Sequence, residues 1–180
     1  SYVGDFLSEE NIFRGTLMEN ITLGNPDIGL NAVVQAAQQL GLDSFIQQLP
    51  KGYDSPLLPE GRNIPKSIRA KIILARSIVA KPRLLVVEGF LRSLEPADRL
   101  LIARCLTQSD QPWTLLLVTN DPILASRCDR VVILENGRLV ASGNYEEISR
   151  TAHFRHVFRP GDEISSRDYT VPKKQRPKGE

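Results

Sequence analysis

Apolar positions recur at helical spacing through the first half of the chain, and short apolar runs alternate with helical periods in the second. Residues 64–81 put Ile68, Ile72, Ala75 and Val79 on one face, with Arg69, Lys71 and Arg76 interspersed, as a half-buried helix requires. Pro82 stops that helix. Leu84, Leu85, Val86 and Val87 then follow without a polar break, the pattern of a strand in a parallel sheet covered on both faces. Glu88 ends the run. A carboxylate just past such a strand stands where open α/β sheets gather metal and phosphate chemistry, and it equally suits a plain turn cap.

The remaining elements follow from the same patterns. Residues 1–5 read as the end of a strand, and Thr16 with Glu19 three residues later makes a capping box for a short helix. Val33, Val34, Ala37 and Leu40 form a helical stripe that Gly41 ends, and a shorter helix surrounds Phe45, Ile46 and Leu49. The loop from Pro56 to Asn63 is rich in turn residues, and Pro65 falls in the first turn of the next helix. Pro96 to Thr107 reads as a helix, Trp113 to Thr119 as a second buried strand, and Asp121-Pro122 as the start of a short helix. Val131 to Leu134 reads as a third strand, Asn136-Gly137 as a hairpin turn, and Asn144 with Glu147 as a second capping box. Strands 83–88, 113–119 and 130–135 are expected in one sheet, the first two parallel through a right-handed crossover.

Composition narrows this picture only slightly. A chain of 180 residues with 41% apolar content can bury one core of ordinary size. A formal charge of +2 gives no field that argues for nucleic acid, and no apolar run is long enough to cross a bilayer. The chain opens on Ser1 rather than Met, so the expectation is a piece of a longer product. Cys105 and Cys128 lack metal-ligand spacing and are expected to act as small buried apolar residues. His153 and His156 lie three apart on a helix with no acid or cysteine beside them in sequence, so both are expected to face solvent. Residues 159–180, with several prolines and the basic Lys173, Lys174, Arg176 and Lys178, read as a flexible polar tail.

Taken together, helix, proline, strand, acid and loop over 64–95 resemble the signature helix, Walker B strand and D-loop of an ATP-binding cassette (ABC) protein. Ile72, Leu74, Ala75 and Arg76 fall on the family's I-x-L-A-R, and Leu94-Glu95 on its D-loop Leu-Asp. Phe13 to Ile21 is similar to the F-x-G-T-I-x-E-N-I of ABC exporters, and the stretch from Phe45 to Asp54 resembles their FIxxLPxGYDT. Cys128-Asp129-Arg130 resembles the family's ADR, and Gly137 to Ile148 its GRIVExGTHEEL.

The resemblance covers roughly residues 1–150 and implies an α/β, P-loop NTPase-like fold, represented by its C-terminal two thirds. That means a mostly parallel sheet with helices on both faces, a helical subdomain over about 28–81, and a C-terminal hairpin, with 1–158 as the partial domain. It also implies ATP and magnesium as cofactors of the intact parent, with Glu88 at the Walker B aspartate reaching magnesium through water. The Q-loop glutamine falls on Ser8 counting without a gap, or on Asp5 if the strand ends are matched. The LSGGQ that approaches the phosphate on the opposite subunit becomes Ile64-Pro65-Lys66-Ser67-Ile68, leaving Lys66 and Ser67 to touch phosphate. Glu95 takes the D-loop position. The catalytic glutamate becomes Gly89 and the H-loop histidine becomes Asn120, so no catalytic position is intact.

Partners implied are a second nucleotide-binding domain, identical or different, and the coupling helices of a transmembrane domain, with no nucleic acid. The implied setting is the cytoplasmic face of the inner or plasma membrane of a bacterial cell. Two functions remain open: a cassette coupling ATP binding and slow hydrolysis to export, or a structural or regulatory cassette that pairs with another. An upstream glycine-rich loop ending in Lys-Ser or Lys-Thr separates them, because that loop's backbone N–H groups and lysine carry the phosphates. Neither that loop nor the adenine-stacking aromatic lies within these residues, so the fragment is expected to bind no cofactor by itself.

Overall fold

A computed structural model describes residues 3–6, 11–88 and 94–158. The apolar run after Pro82 forms β4 (Leu84–Glu88), the middle strand of a three-stranded sheet. On one side it pairs in parallel with β1 (Val3–Phe6), Val3 opposite Leu84 and Phe6 opposite Val87. On the other it pairs in parallel with β5 (Thr114–Val118), Leu84 opposite Thr114 and Glu88 opposite Val118. The connection from β4 to β5 carries α5 (Pro96–Thr107), so the expected parallel crossover is present.

Alternation along these strands separates two faces. Phe6, Leu85 and Val87 are buried on one, with Leu115 and Leu117 packed beside them. The register puts Val3, Asp5, Leu84, Val86, Glu88, Leu116 and Val118 on the other, where Val3, Leu116 and Val118 are all about half exposed. An uninterrupted apolar run suits cover on both sides, and among the described residues only one side has it.

The third predicted strand differs from expectation. β6 (Val131–Glu135) pairs antiparallel with β7 (Arg138–Gly143) in a separate two-stranded sheet, not with β4 and β5. Asn136 and Gly137 both take positive φ, 49° and 75°, as a primed two-residue turn demands. Such a turn supplies the nearest partner at small loop-closure cost. Val131 and Ile133 pack there with Ile148 of α7 (Tyr145–Ser149) and Phe154 of α8 (Ala152–Val157), a second apolar cluster apart from the main one. Both predicted capping boxes form, Thr16 with Glu19 opening α1 (Leu17–Thr22) and Asn144 with Glu147 opening α7.

The helices of the first half are joined by β2 (Gly15–Thr16) and β3 (Pro56–Leu57), a short antiparallel pair. α2 (Leu30–Gln39) buries Val33, Ala36 and Ala37, and Gly41 just beyond it adopts φ 63°. α3 (Asp43–Gln48) buries Ile46. α4 (Lys66–Ile78) ends three residues short of the predicted limit and buries Ala70 through Ala75, Ser77 and Ile78. Its core is continuous with that of α2 and with Phe6, Leu85 and Val87 of the sheet, so α4 joins the sheet to the helices over 28–81. Lys71, read from sequence as one of the basic residues interspersed in a half-buried helix, is buried with the rest. Residues 159–180, expected to form a tail, lie outside the described residues.

The seam between α4 and β1 is held by Ser77, whose hydroxyl donates to the Asp5 carbonyl and also reaches the Ile73 carbonyl at 3.1 Å. Gly4 lies in that seam, where an added Cβ would overlap the Ser77 carbonyl oxygen and crowd Pro82. Gly4→Ala is expected to cost about 1–3 kcal/mol in stability, since neither backbone can retreat without disturbing the sheet. Gly29→Ala, at a helix N-cap with open space around it, is the control: loss of a favoured cap residue and reduced freedom of the unfolded chain offset, so it should cost less than about 1 kcal/mol. Urea unfolding of the two variants beside the parent chain checks both.

Candidate functional site

The C-terminal edge of the sheet carries the candidate chemistry. Glu88 ends β4 with its side chain exposed, and the register sets it opposite Val118, the last residue of β5. Asn120 follows two residues later and is also exposed. Asp5 stands opposite Val86 on β1, so its exposed side chain shares the open face with Glu88. The structure thus places Glu88, Asn120 and Asp5 on adjoining strand ends. Ser8 and Gly89 lie outside the described residues.

Lys66 and Ser67 are elsewhere. Pro65 is the N-cap of α4 at φ −59° and ψ 151°, one position earlier than the first-turn place read from sequence. A proline ahead of the helix holds its own φ without removing an intrahelical bond, so local sterics favour the shift. No side chain caps this end; Lys66 is exposed and Ser67 half-buried. Ser77 at the far end is the residue tied to Asp5, and the rise along ten helical residues is about 15 Å. The two groups of candidate residues therefore do not converge on one ligand within a single copy of the described chain. Glu95 is the exposed N-cap of α5 with no side-chain cap bond.

Sequence reading missed two charged pairs behind this edge. Asp121 is fully buried: Oδ2 accepts from Arg99 Nη1 at 3.0 Å, and Oδ1 accepts from the Ile123 N–H at 2.9 Å, capping α6 (Pro122–Ala125). Its own N–H donates to Thr119 Oγ1 at 3.0 Å. Burial, and then the Asp121 charge, push the Tyr145 phenol above its ordinary pKa. Lys71 Nζ pairs with Asp98 Oδ1 at 2.6 Å, tying α4 to α5. Asp-Pro announces the cap at 121, but partners 22 and 27 residues away leave no mark in local pattern.

His153 also departs from expectation, since its Nδ1 lies 3.1 Å from Glu135 Oε1. The hairpin folds back under α8, which brings an acid that sequence distance hid. Cys105 is buried as expected, its thiol pushed up to about 11 by desolvation. Among the described residues no group of three or more His, Cys, Asp or Glu side chains gathers to hold a metal. Two exposed carboxylates on one face, Asp5 and Glu88, are too few to cage an ion by themselves.

No protein-family model matches the chain. It is 30% identical over 152 residues to an uncharacterised ABC transporter ATP-binding protein, YfiC, of Bacillus subtilis, covering 84% of this chain and 25% of that protein. It is 35% identical over 148 residues to the ABC transporter ATP-binding protein RamA of Streptomyces coelicolor, covering 82% of this chain and 23% of that one. The chain belongs to the ABC transporter ATP-binding proteins. It spans about a quarter of the length of these relatives and matches their C-terminal part. Its fold matches a bacterial Atm1-family ABC exporter solved with ATP bound, at a TM-score of 0.79 and 20% identity, over 87% of this chain and 28% of that one. At that identity the likeness speaks for the fold alone. No helix among the described residues of this ABC chain is long and apolar enough to cross a membrane.

The Lys71–Asp98 pair makes an asymmetric prediction. Asp98→Ala strands a buried ammonium and should cost about 3 kcal/mol, whereas Lys71→Met leaves a carboxylate that water still reaches and should cost clearly less. Thermal unfolding of both variants and their double mutant checks the order.

Proposed function

We propose that this chain is the C-terminal two thirds of a cassette in a longer ABC exporter, where it binds Mg-ATP and hydrolyses it slowly. The observation that supports this most directly is the exposed Glu88 at the end of β4 with Asn120 beyond the neighbouring strand end, set on a frame whose sequence supplies Gly89 next. ATP, when bound, would supply the phosphates whose engagement and release drive the transmembrane partner. Glu88 and Asp5 would hold its magnesium through water, and the Asn120 amide would donate one hydrogen bond to phosphate. Gly89 has no carboxylate to orient or deprotonate an attacking water, so turnover suffers more than binding.

The partners follow from the same reading. Lys66, Ser67 and the uncapped start of α4 would face a nucleotide held by a second cassette, and Glu95 would approach that same boundary. The helices over about 28–81 would form the subdomain that meets the coupling helices of the transmembrane part, at the cytoplasmic face of the membrane. If nucleotide binding is absent from the longer protein, the chain serves instead as a structural or regulatory cassette beside a competent one.

Two measurements test the reading. Calorimetric titration of the 180-residue chain with Mg-ATP should give no micromolar binding, because its sequence holds no glycine-rich loop whose N–H groups and lysine would carry the phosphates. In the longer protein, Gly89→Glu should raise ATP turnover by about 100- to 10,000-fold, the usual weight of a general base. Ordinary turnover in the unmodified protein that Gly89→Glu leaves unchanged would place the active site in a partner cassette or refute the assignment of Gly89.

A further inference from the structure

We propose that Arg99 and Asp121 are positioning residues for Asn120, and that through it they set how tightly the longer protein holds a nucleotide phosphate; the inference rests on the nucleotide-binding reading above. Asn120 is exposed, yet both its chain neighbours are fixed. The Thr119 hydroxyl accepts the Asp121 N–H at 3.0 Å, closing the turn around Asn120 from inside. Asp121 is fully buried, with one carboxylate oxygen capping α6. These contacts are local and define the shape of the turn, not its place against the rest of the site.

The other carboxylate oxygen supplies that place. It accepts from Arg99 Nη1 at 3.0 Å, and Arg99 lies on α5, four residues after Glu95. The turn bearing Asn120 is therefore referenced to the helix that begins at the D-loop position. A pair serving stability alone would be well served by apolar packing of similar volume. Here the Arg99 Nε is buried with no hydrogen-bond partner among the described residues, a desolvation cost that the guanidinium keeps while aiming its other end at Asp121.

The test is a double-mutant cycle in the longer protein that carries this chain. The probe is a non-hydrolysable ATP analogue with magnesium, and melting temperature is read in parallel. Asn120→Ala should weaken affinity about three- to tenfold, the weight of one hydrogen bond. Arg99→Met should weaken it to a similar extent, and the double variant should bind no worse than Asn120→Ala alone, because Arg99 acts through that amide. Arg99→Lys, which keeps the charge and a donor, should retain most of the affinity. A merely structural pair would lower the melting temperature and leave affinity alone, or give penalties that multiply in the double variant; either result overturns the proposal. An effect of Asn120→Ala with none from Arg99→Met sinks the positioning role and leaves the nucleotide reading standing. No binding by the unmodified protein overturns both. Should Arg99→Met fail to fold, Asp121→Asn, which keeps shape and cap but weakens the acceptor, runs the same cycle with the same readings.

Discussion

The burial of α4 on nearly every side from Ala70 onward is the constraint from which the remaining geometry follows. A helix packed all round cannot shift or rotate without opening cavities against several neighbours at once. Its polar atoms must therefore be met, and each contact ties in a different element. Arg76 Nε donates to the Asn20 carbonyl at 2.9 Å while its guanidinium lies 5.7 Å from the centre of the Phe13 ring, fixing the segment before α1. Ser77 fixes β1, and Lys71 fixes α5. The ends of β1 and β4 take their positions from a helix that itself carries no residue of that sheet edge.

Local pattern was enough to place β4, α5, β5, the hairpin turn and both capping boxes, because each depends on residues within one turn or strand of each other. It failed where the partner is distant or the choice is between equivalent partners. An apolar run announces a strand and not the sheet it joins, so β6 was assigned to the main sheet when a tight turn gave it β7. Nor does such a run tell whether both faces are covered. Lys71 looked like one more interspersed basic residue because its Asp98 partner is visible only in three dimensions. At the candidate site, Glu88 was legible from its place after an apolar run, while Arg99 had no local pattern to single it out.

The open face of the sheet adds a physical demand. Val3, Leu116 and Val118 form an exposed apolar surface on strands whose other side packs toward the core, and the hairpin presents Val132, Leu134 and Leu139 in the same exposed manner. Clustered exposed apolar side chains of this kind mark a face that a neighbouring layer could cover. Asp5 and Glu88 emerge on that same face, so whatever covers the strands also changes the solvent around both carboxylates. Low water access strengthens a carboxylate's hold on a cation and penalises its bare charge, so metal binding and cover would reinforce one another.

On the proposed reading, this coupling would separate the two halves of an ATP-driven cycle. A ligand shifts a conformational equilibrium only by its difference in affinity between the two states, and hydrolysis adds nothing to that shift. On that reading, the groups that decide affinity would be charge and hydrogen-bond partners: Glu88 supplies a carboxylate, and Asn120 a donor. A carboxylate at position 89, which Gly89 does not supply, would begin its work only when water attacks. On the proposed reading, such a site would lose speed of reset while keeping the contacts that favour the bound state. Its lifetime in that state would then be governed by ligand release, and by whichever neighbouring cassette still carries out the chemistry.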